Sequence, residues 1–225
     1  MACYVGIDPS HRRGHATVAL DDQFKPLAAE LCATPERVRA LIESLPTGRR
    51  CVGIDAPRTM PTKAREWFFS AARGRWRRGD GQKGQGRHCE VAVVAVAGAK
   101  AQWSQHDGEI PGWMQLGMQL FRDLADVVDE MHEVFPTASW TQYSSEPFVS
   151  ITLPGGAFAQ KKFIPDFLDA WVAARTVRDY VVGLGCAVGG GDGFGEIVLP
   201  RKVPNHPVLR YPGQRTDSSN PPIRQ

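Results

Sequence analysis

The chain has 225 residues, with 27 Lys+Arg against 24 Asp+Glu and a formal net charge of +3. That length suits one domain, or one domain with an insertion, and 42% hydrophobic residues supply a sizeable core and exclude global disorder. A charge of +3 excludes a histone-like binder, so any nucleic-acid contact must come from a local patch.

Residues 3–8 form an apolar run ending in an acid, which reads as a buried strand. Residues 15–20 and 27–33 read as two more strands, with Asp21-Asp22 between them, in an antiparallel meander. Thr34 and Pro35 open a helix in which Val38, Leu41, Ile42 and Leu45 recur at helical spacing, and Pro46 and Gly48 stop it. Residues 51–55 are a further buried strand, and the strand–helix–strand crossover implies parallel pairing with the first. Residues 62–72 read as a helix carrying Trp67, Phe68 and Phe69. Residues 73–88 hold six Lys/Arg, one Asp and five Gly, which reads as a flexible basic insertion. Helical periodicity returns over 113–131, residues 132–136 read as a strand closed by Pro136, and 165–184 as a helix ended by Gly183 and Gly185. Residues 196–200 suggest a last short strand. The expected division is one domain over 1–200 and a Pro-rich tail over 201–225, loose or draped on the surface. The five cysteines are widely spaced with no Cys-x-x-Cys pair, so they read as small core residues of a reduced protein rather than a disulfide or zinc framework. There is no run of about 18 apolar residues, and the N-terminus reaches Asp8 too soon for a secretory signal. The expectation is a cytoplasmic protein without a membrane span.

The tetrapeptide Val-Gly-Ile-Asp occurs twice, at 5–8 and 52–55. Side chains alternate along a strand, so Gly6 shares a face with Asp8 and Gly53 with Asp55. If the two strands are parallel neighbours, both aspartates emerge at their carboxyl ends, where open α/β sheets place ligands, and the glycines leave room around them. Like charges held together call for protonation or a cation, and a hard divalent ion wants carboxylate oxygens. The alternative is two unrelated strand-end acids capping turns. Asp166 and Asp169 share a face in the first turn of the 165–184 helix. Glu133 stands inside an apolar strand, where a charge must be paired, coordinated or exposed, and His132 beside it points to the opposite face.

Gly6-Ile7-Asp8-Pro9 followed by His15–Leu20 resembles the opening hairpin of RNase H-fold nucleases, notably RuvC-type resolvases, and Asp166–Ala170 resembles their closing acidic helix. The ordered set of motifs is more similar to a family of predicted RNase H-like nucleases catalogued as domain of unknown function number 429. Its second Gly-Ile-Asp-Ala-Pro is matched at 53–57, its Arg-x-Cys-acid by Arg87–Glu90, its Glu-Val-aromatic-Pro by Glu133–Pro136, its Leu-Asp-Ala at 168–170 and its Gly-x-Ile-x-x-Pro at 195–200. The resemblance spans about residues 3–200. It implies an α/β, RNase H-like fold: a mixed five-stranded sheet, first three strands antiparallel, flanked by helices. It also implies a metal-dependent phosphodiester hydrolase of nucleic acid, using two Mg²⁺ or Mn²⁺ ions about 4 Å apart. Carried over position by position, Asp8, Asp55, Asp166 and Asp169 take metal-ligand roles, and Asp8, Asp55, Glu133 and Asp169 catalytic ones. The second acid is Asp55 where the resolvases carry Glu.

Substrate contacts are expected from Arg75, Trp76, Arg77 and Arg78, with Trp76 stacking on a base; the alternative is a basic loop without a partner. Lys161 and Lys162 either hold a phosphate or are solvated. His11, Arg12 and Arg13 either touch substrate or form a polar turn. DNA or RNA is the expected partner, and the oligomeric state, a dimer included, is left open. One rival is an actin-like ATPase or phosphotransferase, which shares the Gly-Ile-Asp start. Such proteins need a Gly/Thr/Ser-rich phosphate hairpin, whereas this chain has Ser10–Gly14, and Gly189–Gly193 reads as a turn with no strand clearly before it. A second rival is a non-catalytic nucleic-acid binder on the same fold.

Overall fold

A computed structural model describes residues 1–79, 84–106, 108–143 and 164–212, with Ile164 described by its backbone alone. Its centre is a mixed five-stranded sheet of order β3-β2-β1-β4-β7. Strands β1 (Cys3–Asp8), β2 (His15–Leu20) and β3 (Pro26–Cys32) form the antiparallel meander. Strand β4 (Arg50–Ile54) runs parallel to β1, and β7 (Glu130–Glu133) parallel to β4. The α/β class and the mixed sheet with antiparallel first strands are therefore as the sequence suggested.

Helix α1 (Pro35–Glu43) starts where expected: the Thr34 hydroxyl accepts a hydrogen bond from Arg37 N at 3.3 Å, and Pro35 occupies the first turn. It packs with α3 (Gly112–Asp123) on one face of the sheet, where Val5, Ile7, Val52 and Ile54 meet Val38, Ile42, Leu120 and Phe121. Helices α4 (Pro136–Tyr143) and α5 (Ile164–Val181) belong to the other face. Helix α2 (His88–Ala97) packs beside the main sheet on a hairpin of β8 (Cys186–Gly189) and β9 (Glu196–Leu199). One parallel bridge, Val134 to Val198, ties that hairpin to the end of β7.

Several expectations change. Residues 62–72 are not a helix. Trp67–Ser70 forms β5, Ala71–Arg73 a single 3-10 turn closed by left-handed Gly74, and Arg75–Arg78 forms β6, antiparallel to β5. Aromatic triplets suit a strand as well as a helix, and Gly74 at φ 58° supplies the reversal that makes the hairpin. The described part of the basic insertion is thus ordered by pairing. The periodic stretch 113–131 divides into α3, a turn and β7, because Val127, Val128 and Met131 reach the same core from a turn and a strand. Helix α2 escaped the sequence reading: its Cys-Glu-Val-Ala-Val-Val-Ala-Val run has no polar stripe. Gly189–Gly193 is a turn as read, yet β8 does precede it. The described part of the tail is draped. Val208 is fully buried, and its carbonyl lies 2.8 Å from His88 Nε2. All five cysteines are free. Among the described residues no helix is long and apolar enough to cross a membrane.

Candidate functional site: carboxylates at the sheet edge

Strands β1 and β4 pair with Gly6 beside Gly53 and Ile7 beside Ile54. The next pair in that register is Asp8 and Asp55, and the Asp55 amide donates to the Ile7 carbonyl at 2.9 Å. Two aspartates thus stand side by side on neighbouring strands, whose spacing is about 4.8 Å.

The repeated glycine has a different use from the one expected. A Cβ at Gly6 would lie 1.8 Å from the Ala170 carbonyl oxygen and 2.4 Å from Ala174 N, and one at Gly53 3.0 Å from the Ala173 carbonyl oxygen. The glycines admit the backbone of α5 onto the sheet, and Ala170, Ala173 and Ala174 are its matching small residues. That contact lays the first two turns of α5, with Asp166 in the first and Asp169 in the second, beside the carboxyl end of β1.

The electrostatics bear out the crowding. Burial, then the charges of Asp166 and Asp169, push the Asp8 carboxyl up to about 7 against the pull of Arg13. Asp55 is raised well above the usual carboxylate range by burial, then by Asp8, Asp169 and Glu133. Burial raises Asp166 against Arg13, and raises Asp169 against a hydrogen bond from Trp140 Nε1 at 3.3 Å. Arg13 Nη1 reaches Asp166 Oδ1 at 3.1 Å, while Asp166 Oδ2 is buried without a partner. Neither Asp8 nor Asp55 has a side-chain hydrogen bond to a described residue.

Glu133 behaves otherwise. It pairs in register with Ile54, so it leaves the sheet on the face opposite Gly53 and Asp55, and His132 turns the other way, onto Tyr180 at 4.9 Å. Arg87 grips both Glu133 oxygens, with Nη1 to Oε2 at 2.8 Å and Nη2 to Oε1, and Arg58 N adds 2.9 Å. Arg87 Nε also bonds Glu90 at 2.9 Å, and Glu90 accepts from Ser104 N at 3.0 Å and from the Ser104 hydroxyl. Burial opposes the charge on Arg87, yet Glu133 and the groups around it hold its pKa well above the usual value. Glu133 therefore stands as the anchor of a buried ion network rather than a free carboxylate. Arg87, Glu90, Ser104 and Arg58 were not singled out as site residues. Their signal lay in the Arg-x-Cys-acid motif and in the need of Glu133 for a partner.

A cavity of about 710 Å³ opens beside these groups. Asp8, Asp55 and Glu133 line it, together with the β1–β2 turn, Lys100 and Trp113. His11, Arg12 and Arg13 belong to that turn and border the cavity. Arg75, Arg77 and Arg78 are exposed on β6, so they present charge to solvent. Trp76 does not. Its ring packs against Phe69, His88 and Tyr211 at 5.5, 5.5 and 5.1 Å, and its Nε1 donates to the Pro207 carbonyl at 3.1 Å. The expectation that it stacks on a base is corrected: the draped tail occupies it. Lys161 and Lys162 lie outside the described residues.

The donor set at the strand ends is oxygen only, which suits Mg²⁺ or Mn²⁺ rather than a soft metal, and the buried orphan oxygen of Asp166 has capacity to spare. As the side chains stand, no three His, Cys, Asp or Glu among the described residues converge on one point. A cation there would have to draw the Asp8, Asp55 and Asp169 carboxylates inward. The chain matches no family model, no curated protein and no solved structure.

Proposed function

We propose that the fold is RNase H-like and that the protein is a metal-dependent phosphodiester hydrolase of nucleic acid. One observation carries this reading: two Gly-Ile-Asp strands lie in register, and the body of a helix with an acidic start is pressed onto their glycines, so four aspartates crowd one edge with raised pKa values. Uncompensated carboxylates at a ligand-bearing sheet edge are costly to stability and useful for holding hard cations. Asp8, Asp55, Asp169 and Asp166 would hold Mg²⁺ or Mn²⁺. Bound there, the ions would supply Lewis-acid activation of water and of the scissile phosphate.

The remaining work falls to the chain's own groups. Arg12 and Lys100 border the cavity as exposed cations able to meet phosphate oxygens. Arg13, paired with Asp166, moderates the negative field at Asp8. The Arg87–Glu133–Glu90 network forms a rigid wall, with its charges satisfied internally.

The test is cleavage of labelled single-stranded, duplex and branched DNA and of RNA, with Mg²⁺ or Mn²⁺ and with chelator. Wild type should cut at least one substrate only with the metal. Asp8→Asn and Asp169→Asn should lose at least about a hundredfold in rate while remaining folded. Absence of metal-dependent cleavage on every substrate, or cleavage that survives both substitutions, would overturn the proposal.

A further inference from the structure

The cavity beside the carboxylates is partly open to solvent, and its volume suits one small unit of a larger substrate. At about 710 Å³ it lies within the roughly 300–1,000 Å³ range of pockets that enclose one drug-sized molecule. A nucleotide is of that size; a continuous base-paired duplex is not. A smaller adjoining cavity of about 290 Å³ shares Ala101 and Gln102 with it, which gives room beyond the first unit along one direction.

The chemistry of its wall is divided. One side carries Asp8 and Asp55, with Arg12 and Lys100 at the border. Another is apolar and is built by α3 on the segment just after Asp55. Gly117 of α3 sits on Ala56, where an added Cβ would lie 2.0 Å from the Ala56 Cβ. Trp113 is one turn earlier on the same helix face, so its ring belongs beside Ala56 and Pro57, next to the second aspartate. Trp113 is half-buried and lines the cavity, and its indole N–H donates to no described residue. The start of α3 is also held close to the β1–β2 turn, since a Cβ at Gly112 would lie 3.3 Å from the His11 ring. An aromatic ring, two carboxylates and two exposed cations, Arg12 and Lys100, thus line one cavity.

We infer that this cavity is a single-nucleotide subsite, with Trp113 as the platform for a base, and that the substrate enters as an unpaired nucleotide at a strand end, tail or bulge rather than as intact duplex. This rests on the hydrolase reading for its chemistry but not for its binding. Base–aromatic stacking tolerates any base, so the subsite selects for unpaired structure rather than for sequence. Extraction of a paired nucleotide would add the cost of unstacking.

Two readouts separate this inference from the parent reading. In the first, the full chain with Mn²⁺ is given a linear single strand, a duplex with a single-stranded tail and a relaxed, covalently closed duplex circle. The single strand and the tail should be cut at least about tenfold faster than the circle, and Trp113→Ala should raise KM for the single strand about tenfold, with Trp113→Phe restoring most of it. Equal cutting of the circle, or an unchanged KM in a folded Trp113→Ala variant, would overturn the inference and leave the hydrolase proposal standing. In the second, binding of nucleoside monophosphates to Asp8→Asn is measured by calorimetry, with and without Trp113→Ala. Binding that needs Trp113, together with a wild type that cleaves no substrate with Mg²⁺ or Mn²⁺, would uphold the subsite and sink the hydrolase. Absence of mononucleotide binding in a folded protein would sink the subsite.

Discussion

Two groups of acids stand at one cavity, Glu133 and Glu90 buried and Asp8 and Asp55 half-buried, and they are treated in opposite ways. Glu133 and Glu90 are each held by Arg87, and Arg58 N and Ser104 add further hydrogen bonds to them. Asp8 and Asp55 have no side-chain partner among the described residues, and Asp166 keeps one oxygen buried and bare. The first group follows the ordinary rule that buried charge must be paired. In the second, the bare Asp166 oxygen breaks that rule, and Asp8 and Asp55 stand half-buried without a side-chain partner where parallel strands end. Local violations of that kind mark sites where the fold gives up stability for binding or chemistry. The same residue types therefore carry different information according to what satisfies them.

Removing the cation from the satisfied group should produce the largest effect. Arg87→Met leaves two buried carboxylates facing each other and should lower stability by about 3–5 kcal/mol, read by chemical denaturation. Adding Glu133→Gln to that variant should restore part of the loss, because one stranded charge is gone. If Arg87→Met costs under about 1 kcal/mol, the contrast between the two groups fails. The support beneath the unsatisfied group comes next. In Gly6→Ala the new Cβ would meet the Ala170 carbonyl oxygen at 1.8 Å, a backbone atom that cannot swing aside. Overpacking of this severity should cost about 3 kcal/mol, and it should lift α5 away from Asp8. A melt as cooperative and as high as wild type would remove glycine's role in bringing the acids together.

These two variants also show how much of the molecule was legible beforehand. The meander, the crossover through α1 and the long α5 were readable because Thr34-Pro35, the helical spacing of Val38 to Leu45 and the Gly183/Gly185 stop are local signals. Asp8 and Asp55 could be paired from the repeated tetrapeptide, since parallel register carries side-chain direction with it. Glycine's purpose was not readable, because it depends on a helix more than a hundred residues away. Arg87 was visible as part of a motif, but its hold on Glu133 spans 46 residues and has no local trace. Helix α2 carries no polar stripe to betray it, because its first half is buried all round and its partly exposed second half is Val and Ala. Trp76 was misjudged for a related reason: a tryptophan among arginines reads as a stacking platform until Pro207 and Tyr211 arrive from the tail.

The unsatisfied group should also set the pH response. The Asp8 carboxyl is raised from 3.8 to about 7, so between those values the unfolded chain gives up this proton while the folded chain keeps it. Its contribution makes stability fall as pH rises from about 4 to about 7, and the loss is then complete. Without divalent cations, Asp8→Asn should match wild type near pH 4 and exceed it by roughly 1–3 kcal/mol at pH 8. Added Mn²⁺ at pH 8 should narrow that gap by stabilising wild type more than the variant. A gap that is the same at both pH values would mean that Asp8 is not strained by its neighbours.

The smallest effect on stability should come from the hairpin, where the same comparison recurs on a strand of four residues. Trp76 is packed and hydrogen-bonded, whereas Arg75 and Arg77 alternate with it and face solvent. Replacing both arginines with Gln should change stability by less than about 0.5 kcal/mol, as for ordinary surface positions. If the hairpin tracks a nucleic-acid backbone, the double variant should still bind more weakly across all sequences. The slope of log affinity against log salt should fall by about 2, near one per lost phosphate contact. Trp76→Ala should do the reverse, lowering the melting temperature and leaving that slope as it was. An unchanged slope in the double arginine variant would confine recognition to the cavity and leave the basic strand as a solvated face.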